Sequence, residues 1–83
     1  NRDMYIEGLD FPTLEGELHS LFETAPEFRG DDWEEAFYQV VIEDQGLGFE
    51  VVYDGDDEMV YNLLVEFLEL IAKEYNGLFN ERY

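Results

Sequence analysis

His19 and Ser20 are the only histidine and the only serine in the chain, a base and a nucleophile side by side. Neighbours on a helix point about 100° apart, so the two cannot pass a proton to each other as nucleophilic catalysis requires. His19 therefore reads as a half-exposed helix histidine. Carboxylates are so abundant that no single pair stands apart as a general acid and base. Neither a phosphate loop nor a dinucleotide fingerprint occurs. Asp54, Asp56, Asp57 and Glu58 crowd oxygen ligands into a short run, but an EF-hand spreads its ligands over a longer loop. This run reads as a turn leading into a helix cap. No enzyme activity, metal or cofactor is expected.

The chemistry that does stand out is ionic. Three acidic groups punctuate the chain: Asp31, Asp32, Glu34 and Glu35 around Trp33; Glu43 and Asp44; and Asp54, Asp56 and Asp57 with Glu58. Carboxylates meet Lys and Arg, and an aromatic among them supplies the buried anchor that a binding surface needs. Trp33 or Tyr53 suits that role. The bland alternative for any one group is a solvated acidic surface with Trp33 in the core. Together they form the expected partner-binding set.

Whole-chain charge sharpens this. Asp and Glu number 22 against 4 Lys and Arg, a formal net charge of −18 in 83 residues. Solubility in a small domain needs a magnitude of only about 2–8, and self-repulsion beyond that costs stability. Three explanations compete: a partner with a basic surface, a salt-loving origin, and charge that serves solubility alone. Glu exceeds Asp and large apolar residues are plentiful, which fits the second poorly. Direct nucleic-acid binding is disfavoured because phosphate contacts need cations, and these are only Arg2, Arg29, Lys73 and Arg82. Anionic membranes repel the chain for the same reason. Apolar residues make up 46% and aromatics 17%, which argues for a packed domain rather than disorder. The absence of cysteine leaves no disulfide framework, and a cytoplasmic protein is expected. No signal peptide or membrane span is legible. Because the first Met is Met4, Asn1, Arg2 and Asp3 read as residues ahead of a native start, outside the fold.

The elements that must position these groups follow from periodicity. Asp57–Tyr75 is a long helix whose apolar arc spans roughly two-thirds of its circumference. Such a helix needs cover on two sides, from a sheet and from another helix or a partner. Asp56 or Asp57 caps it, and Asn76-Gly77 stops it, with Gly77 in the left-handed position. Leu14, Leu18, Leu21 and Phe22 mark a shorter helix opened by Pro12-Thr13, with Thr13 as N-cap and Glu15 and Glu17 in its first turn. Pro26 ends it. Phe49–Tyr53 is a strand, and Asp44–Gly48 is a turn. Trp33–Glu43 fits both a helix and a strand. The β-branched run decides for a strand over Phe37–Ile42, paired with Phe49–Tyr53 as an antiparallel hairpin. In that hairpin the Asp31–Glu35 and Asp54–Glu58 groups lie near one end of the sheet. Tyr5-Ile6 and Leu78-Phe79 are candidate edge strands. The expected fold is α+β, a single domain: short N-terminal helix, antiparallel hairpin or small sheet, long C-terminal helix packed on it.

Two resemblances accompany this reading. The run Trp33-Glu34-Glu35, Phe37-Tyr38-Gln39-Val40, then Gly48-Phe49-Glu50-Val51-Val52-Tyr53 before a long C-terminal helix resembles the YezG-type immunity proteins, acidic partners that neutralise toxin nucleases. It covers roughly residues 13–75 in element order. Pro26-Glu27-Phe28-Arg29-Gly30-Asp31-Asp32 before an amphipathic run, preceded by Glu17-Leu18-His19, is similar to barstar, a ribonuclease inhibitor. That similarity implies nuclease contact by Phe28, Glu34 and Phe37 and a helix over Trp33–Val41, while Tyr38 stands where that family places a key aspartate. The function expected is an inhibitor of a basic, nucleic-acid-binding protein, an immunity protein against a toxin nuclease. The alternatives are a phage-type DNA mimic aimed at a host defence or DNA-binding protein, and a structural or regulatory subunit that forms a homodimer through the C-terminal helix.

Overall fold

The computed structural model describes residues 2–25 and 33–82. The order is β1 (Arg2–Glu7), α1 (Phe11–Thr24), α2 (Trp33–Tyr38), β2 (Val40–Asp44), β3 (Gly48–Tyr53), α3 (Glu58–Glu74) and β4 (Leu78–Arg82). The strands form one antiparallel sheet in the order β2-β3-β1-β4. Each helical crossover thus skips over a strand supplied by the other half of the chain, the split βαβ plan. The α+β class read from the sequence is the class found, with α3 packed on the sheet.

Alternation along the strands sorts the sheet into two faces. Met4, Ile6, Val51 and Tyr53 are buried on one face, beneath Leu14, Leu18 and Phe22 of α1 and Val60, Tyr61, Leu64, Leu68, Ile71 and Ala72 of α3. The other face carries no described helix and holds Asp3, Tyr5 and Glu7 of β1, Glu50 and Val52 of β3, and Val41 and Glu43 of β2; Tyr5 is buried there, and Val41 and Glu43 on β2 are exposed. Met59 and Leu70 of α3 stay exposed, while Leu63, Val65 and Phe67 are half-buried against the core.

Several expectations need correction. The strand expected over Phe37–Ile42 is divided. Trp33, Ala36 and Phe37 make one helical turn and a half, with Glu34 and Glu35 in its first turn. A strand then begins at Val40 and faces Tyr53, Val52 and Val51 with Val40, Val41 and Ile42. The ring of Phe37 is what holds α2 in place, edge-on to Phe22 at 5.6 Å and to His19 at 5.5 Å. A helix reaching Val41, as the barstar comparison implies, is not present. β1 is a central strand rather than an edge, and Arg2 and Asp3 belong to it. The first helix is capped three residues earlier than expected. Its N-cap is Asp10, whose carboxylate accepts from the Thr13 N–H at 3.4 Å and from its hydroxyl at 2.6 Å, so Glu15 and Glu17 fall beyond the first turn. That hydroxyl, above all, lowers the Asp10 pKa. Ala25 is extended, at φ −66 and ψ 130, as a residue before proline prefers.

At the end of α3 the left-handed residue is Asn76, at φ 58, not Gly77. The N–H of Gly77 reaches the carbonyl of Ala72 at 2.6 Å and that of Asn76 reaches Lys73 at 3.3 Å, the paired bonds of a Schellman cap. Gly77 serves a different purpose: an added Cβ would collide with the carbonyl oxygen of Glu7. Gly8, at φ 93, approaches from the other side, so that its own added Cβ would lie 2.7 Å from the Gly77 Cα. The chain's first and last strands are joined through this glycine crossing.

Candidate functional site

The described residues of the three expected acidic groups fall in two regions of the surface. The first is the end of the sheet where β2 begins and β3 finishes. The N–H of Asp54 bonds the Gln39 carbonyl at 2.8 Å, tying the Asp54–Asp57 loop to the residue that follows α2. Glu34, Glu35, Asp54 and Asp56 are exposed there, so the expected meeting of the α2 and Asp54–Glu58 groups at one end of the sheet is what the topology produces. Asp31 and Asp32 lie outside the described residues. Trp33 opens α2, and its side chain lies outside them too. Beside the loop is a cleft of 140 Å³ lined by Arg2, Tyr53, Gly55, Asp56, Asp57 and Tyr61. Burial raises the pKa of Tyr53, and the nearby Asp57 and Asp56 charges act the same way, against the N–H of Asp57 that its hydroxyl accepts at 3.2 Å. Tyr53 is thus core, not a surface anchor.

Arg2 is held at this end by the Glu58 carboxylate and lies 4.5 Å above the Tyr61 ring. Its guanidinium, through a hydrogen bond first and its charge second, lowers the Glu58 pKa. The Tyr61 hydroxyl donates to Glu81 at 2.7 Å. All of these groups lie on the helix-covered side.

The second region is the open face. Glu43 and Asp44, expected to act together, separate here. Glu43 points out of the open face, paired with Glu50. Asp44 accepts from the Gly46 N–H at 2.8 Å and shapes the hairpin turn, an Asx arrangement. Asp57 is likewise committed to backbone: it caps α3 by accepting from Met59 at 2.9 Å and Val60 at 3.4 Å. Sequence reasoning missed Asp3, Glu7 and Glu50. Glu50 stands opposite Glu43 on β2 and Tyr5 on β1, with Asp3 diagonal to it, and its pKa is raised, first by partial burial, then by hydrogen bonding and charge from Asp3, then by Glu43. The alternation of Arg2–Glu7 and Gly48–Tyr53 was the signal that marks these positions, legible once the partner strands are known.

His19 lies 3.4 Å from Glu23, one turn along α1, and lines a surface groove with Glu34, Phe37 and Tyr38. Among the described residues, no group of His, Asp and Glu is placed to hold a metal ion. No helix among them is long and apolar enough to cross a membrane. No family model, curated protein or solved structure matches the chain.

Proposed function

We propose that this domain is an inhibitor that occupies the basic, nucleic-acid-binding surface of another protein, acting in the cytoplasm as an immunity protein against a toxin nuclease. The observation that carries this reading is the imbalance of charge on an accessible sheet. The described strands hold no lysine, Arg2 is turned to the covered side against Glu58 and Tyr61, Arg82 stands on the edge strand β4 opposite Asp3, and the outward side chains of β2 and β3 are carboxylates and valines. Such a surface repels phosphate and complements a cavity that holds it. The resemblance to YezG-type immunity proteins points the same way.

A phage-type DNA mimic would use the same chemistry against a host defence or DNA-binding protein, and the identity of the blocked activity separates the two. The dimerising-subunit reading draws on the exposure of Met59 and Leu70 on α3. Glu66 and Glu69 share a shallow groove with Leu70 and Lys73, so two copies meeting there would bring like charges together.

The test is capture at low salt with tagged protein, elution by salt, and assay of the eluted protein's nucleic-acid activity with and without the domain. The reading requires a basic nucleic-acid-handling protein whose activity the domain blocks. Its association should slow steeply between about 0.1 M and about 1 M salt, as the screening length falls from about 10 Å to about 3 Å. Binding indifferent to salt, or an eluate free of such proteins, overturns it.

A further inference from the structure

We propose that the β2–β3 half of the open sheet face, centred on Glu43 and Glu50 and floored by Val41 and Val52, is the surface on which a Lys- and Arg-bearing protein partner docks. This rests on the function proposed above and says where on the molecule it is carried out.

An antiparallel sheet commonly leaves one face in water, so exposure alone proves nothing. Like charges placed directly opposite each other destabilise the ladder, so a pair of glutamates there works against the fold. Here Glu43 faces Glu50. Asp3 approaches Glu50 from β1, and Gln45 donates to it at 3.4 Å, a neutral partner that leaves the charge in place. Among the basic residues, Arg2 is held on the other side of the sheet by Glu58 and Tyr61. Arg82 stands opposite Asp3 in the β1–β4 ladder, on the far edge strand from Glu43. The β2–β3 half therefore concentrates negative charge without a described cation of its own.

Its apolar content completes the argument. Val41 is 45% exposed and Val52 is half-buried, adjacent to each other across the ladder. Valines floor the patch and carboxylates rim it, as in a contact with a dry centre and a polar margin. Charge decides the occupant. A second copy would bring Glu43 and Glu50 against themselves, and a polyanion would be repelled. A cationic protein surface instead neutralises the cross-strand pair and covers the valines.

The experiment uses the chain labelled for NMR and a short peptide alternating Arg and Val as probe, at low salt. The shifts should be largest at Val41, Glu43, Glu50 and Val52. The Glu43→Gln/Glu50→Gln variant should bind about tenfold more weakly, while Glu66→Gln/Glu69→Gln on α3, with the same change in charge, should lose less than about twofold. Because the first variant removes a repulsive pair, it should melt no lower than the parent, which separates lost binding from lost fold. Shifts concentrated at Glu34, Glu35, Asp54 and Asp56 would overturn this placement and leave the inhibitor reading standing. Equal losses in the two variants would also overturn it, as diffuse attraction. A self-association that buries Glu43 and Glu50 would replace the cationic partner with a second copy and overturn it. No binding of the probe at any site would overturn both the placement and the charge-based function beneath it.

Discussion

Glu43 and Glu50 stand directly opposite one another on the open face of the sheet, with Asp3 diagonal to Glu50 on β1. Partial burial together with these neighbours holds the Glu50 proton above the usual glutamate value of 4.5, so the folded chain binds that proton more tightly than the unfolded one. The stability linked to it is fully present below the unfolded value. It is lost as pH rises from there through the raised folded value. Thermal melts followed by circular dichroism should therefore show the midpoint falling as pH rises from the ordinary glutamate range toward neutrality. Glu50→Gln should flatten that decline and melt higher than the parent at neutral pH. An equally steep decline in the variant would place the dependence on other carboxylates.

Salt should move folding and binding in opposite directions. With a net charge of −18, screening relieves self-repulsion in the compact state. The melting midpoint should climb as sodium chloride is added, over the range in which partner association slows. A midpoint that falls with salt would mean that attractive pairs such as Arg2 with Glu58 outweigh the repulsion.

Asp57 separates structural charge from binding charge. Asp57→Ala removes the α3 cap and should cost about 1 kcal/mol, or about 4–8 °C in midpoint for a domain of this size. Asp57→Asn keeps an oxygen acceptor at the same place and should retain most of the stability. If Asp57→Asn also leaves partner binding unchanged, Asp57 serves the helix alone.

Gly77→Ala should be among the more damaging surface-level changes in the chain. The new methyl meets the backbone of Glu7 rather than a side chain that can turn away. A cost of about 1–3 kcal/mol is expected, measured by urea denaturation. The effect should be loss of pairing between β1 and β4, visible as faster amide exchange at Ile6 and Phe79, which face each other in the register.

How much of this was legible beforehand differs by element. The length and broad apolar arc of α3 made it readable, as did the aromatic and β-branched run of β3 and the glycine-bearing turn before it. The division between α2 and β2 was hidden because Phe37 serves the helix through Phe22 and His19, while Val40 a few residues later serves the sheet. No single periodicity covers both. β1 was hidden because its acidic and basic residues make it look like a frayed terminus, when alternation in fact buries Met4 and Ile6 on one side. The binding set was read from clusters contiguous in the chain. Asp44 and Asp57 in those clusters proved to hold backbone N–H groups. Strand register brought Glu50 opposite Glu43 and Asp3 close to Glu50, residues separated from one another in the chain, and only the folded topology supplies that register.

The position of β1 has a consequence for how the chain acquires its shape during synthesis. It is made before the other three described strands, yet its two neighbours are β3 and β4, the latter ending at Arg82. Most of its partners are remote in the chain, and contacts of that kind slow folding. A nascent chain still lacking Leu78–Arg82 would hold β1, which carries Met4 and Ile6, as an edge strand with unpaired backbone groups. Completion of the sheet must wait until Leu78–Arg82 has left the ribosome's exit tunnel.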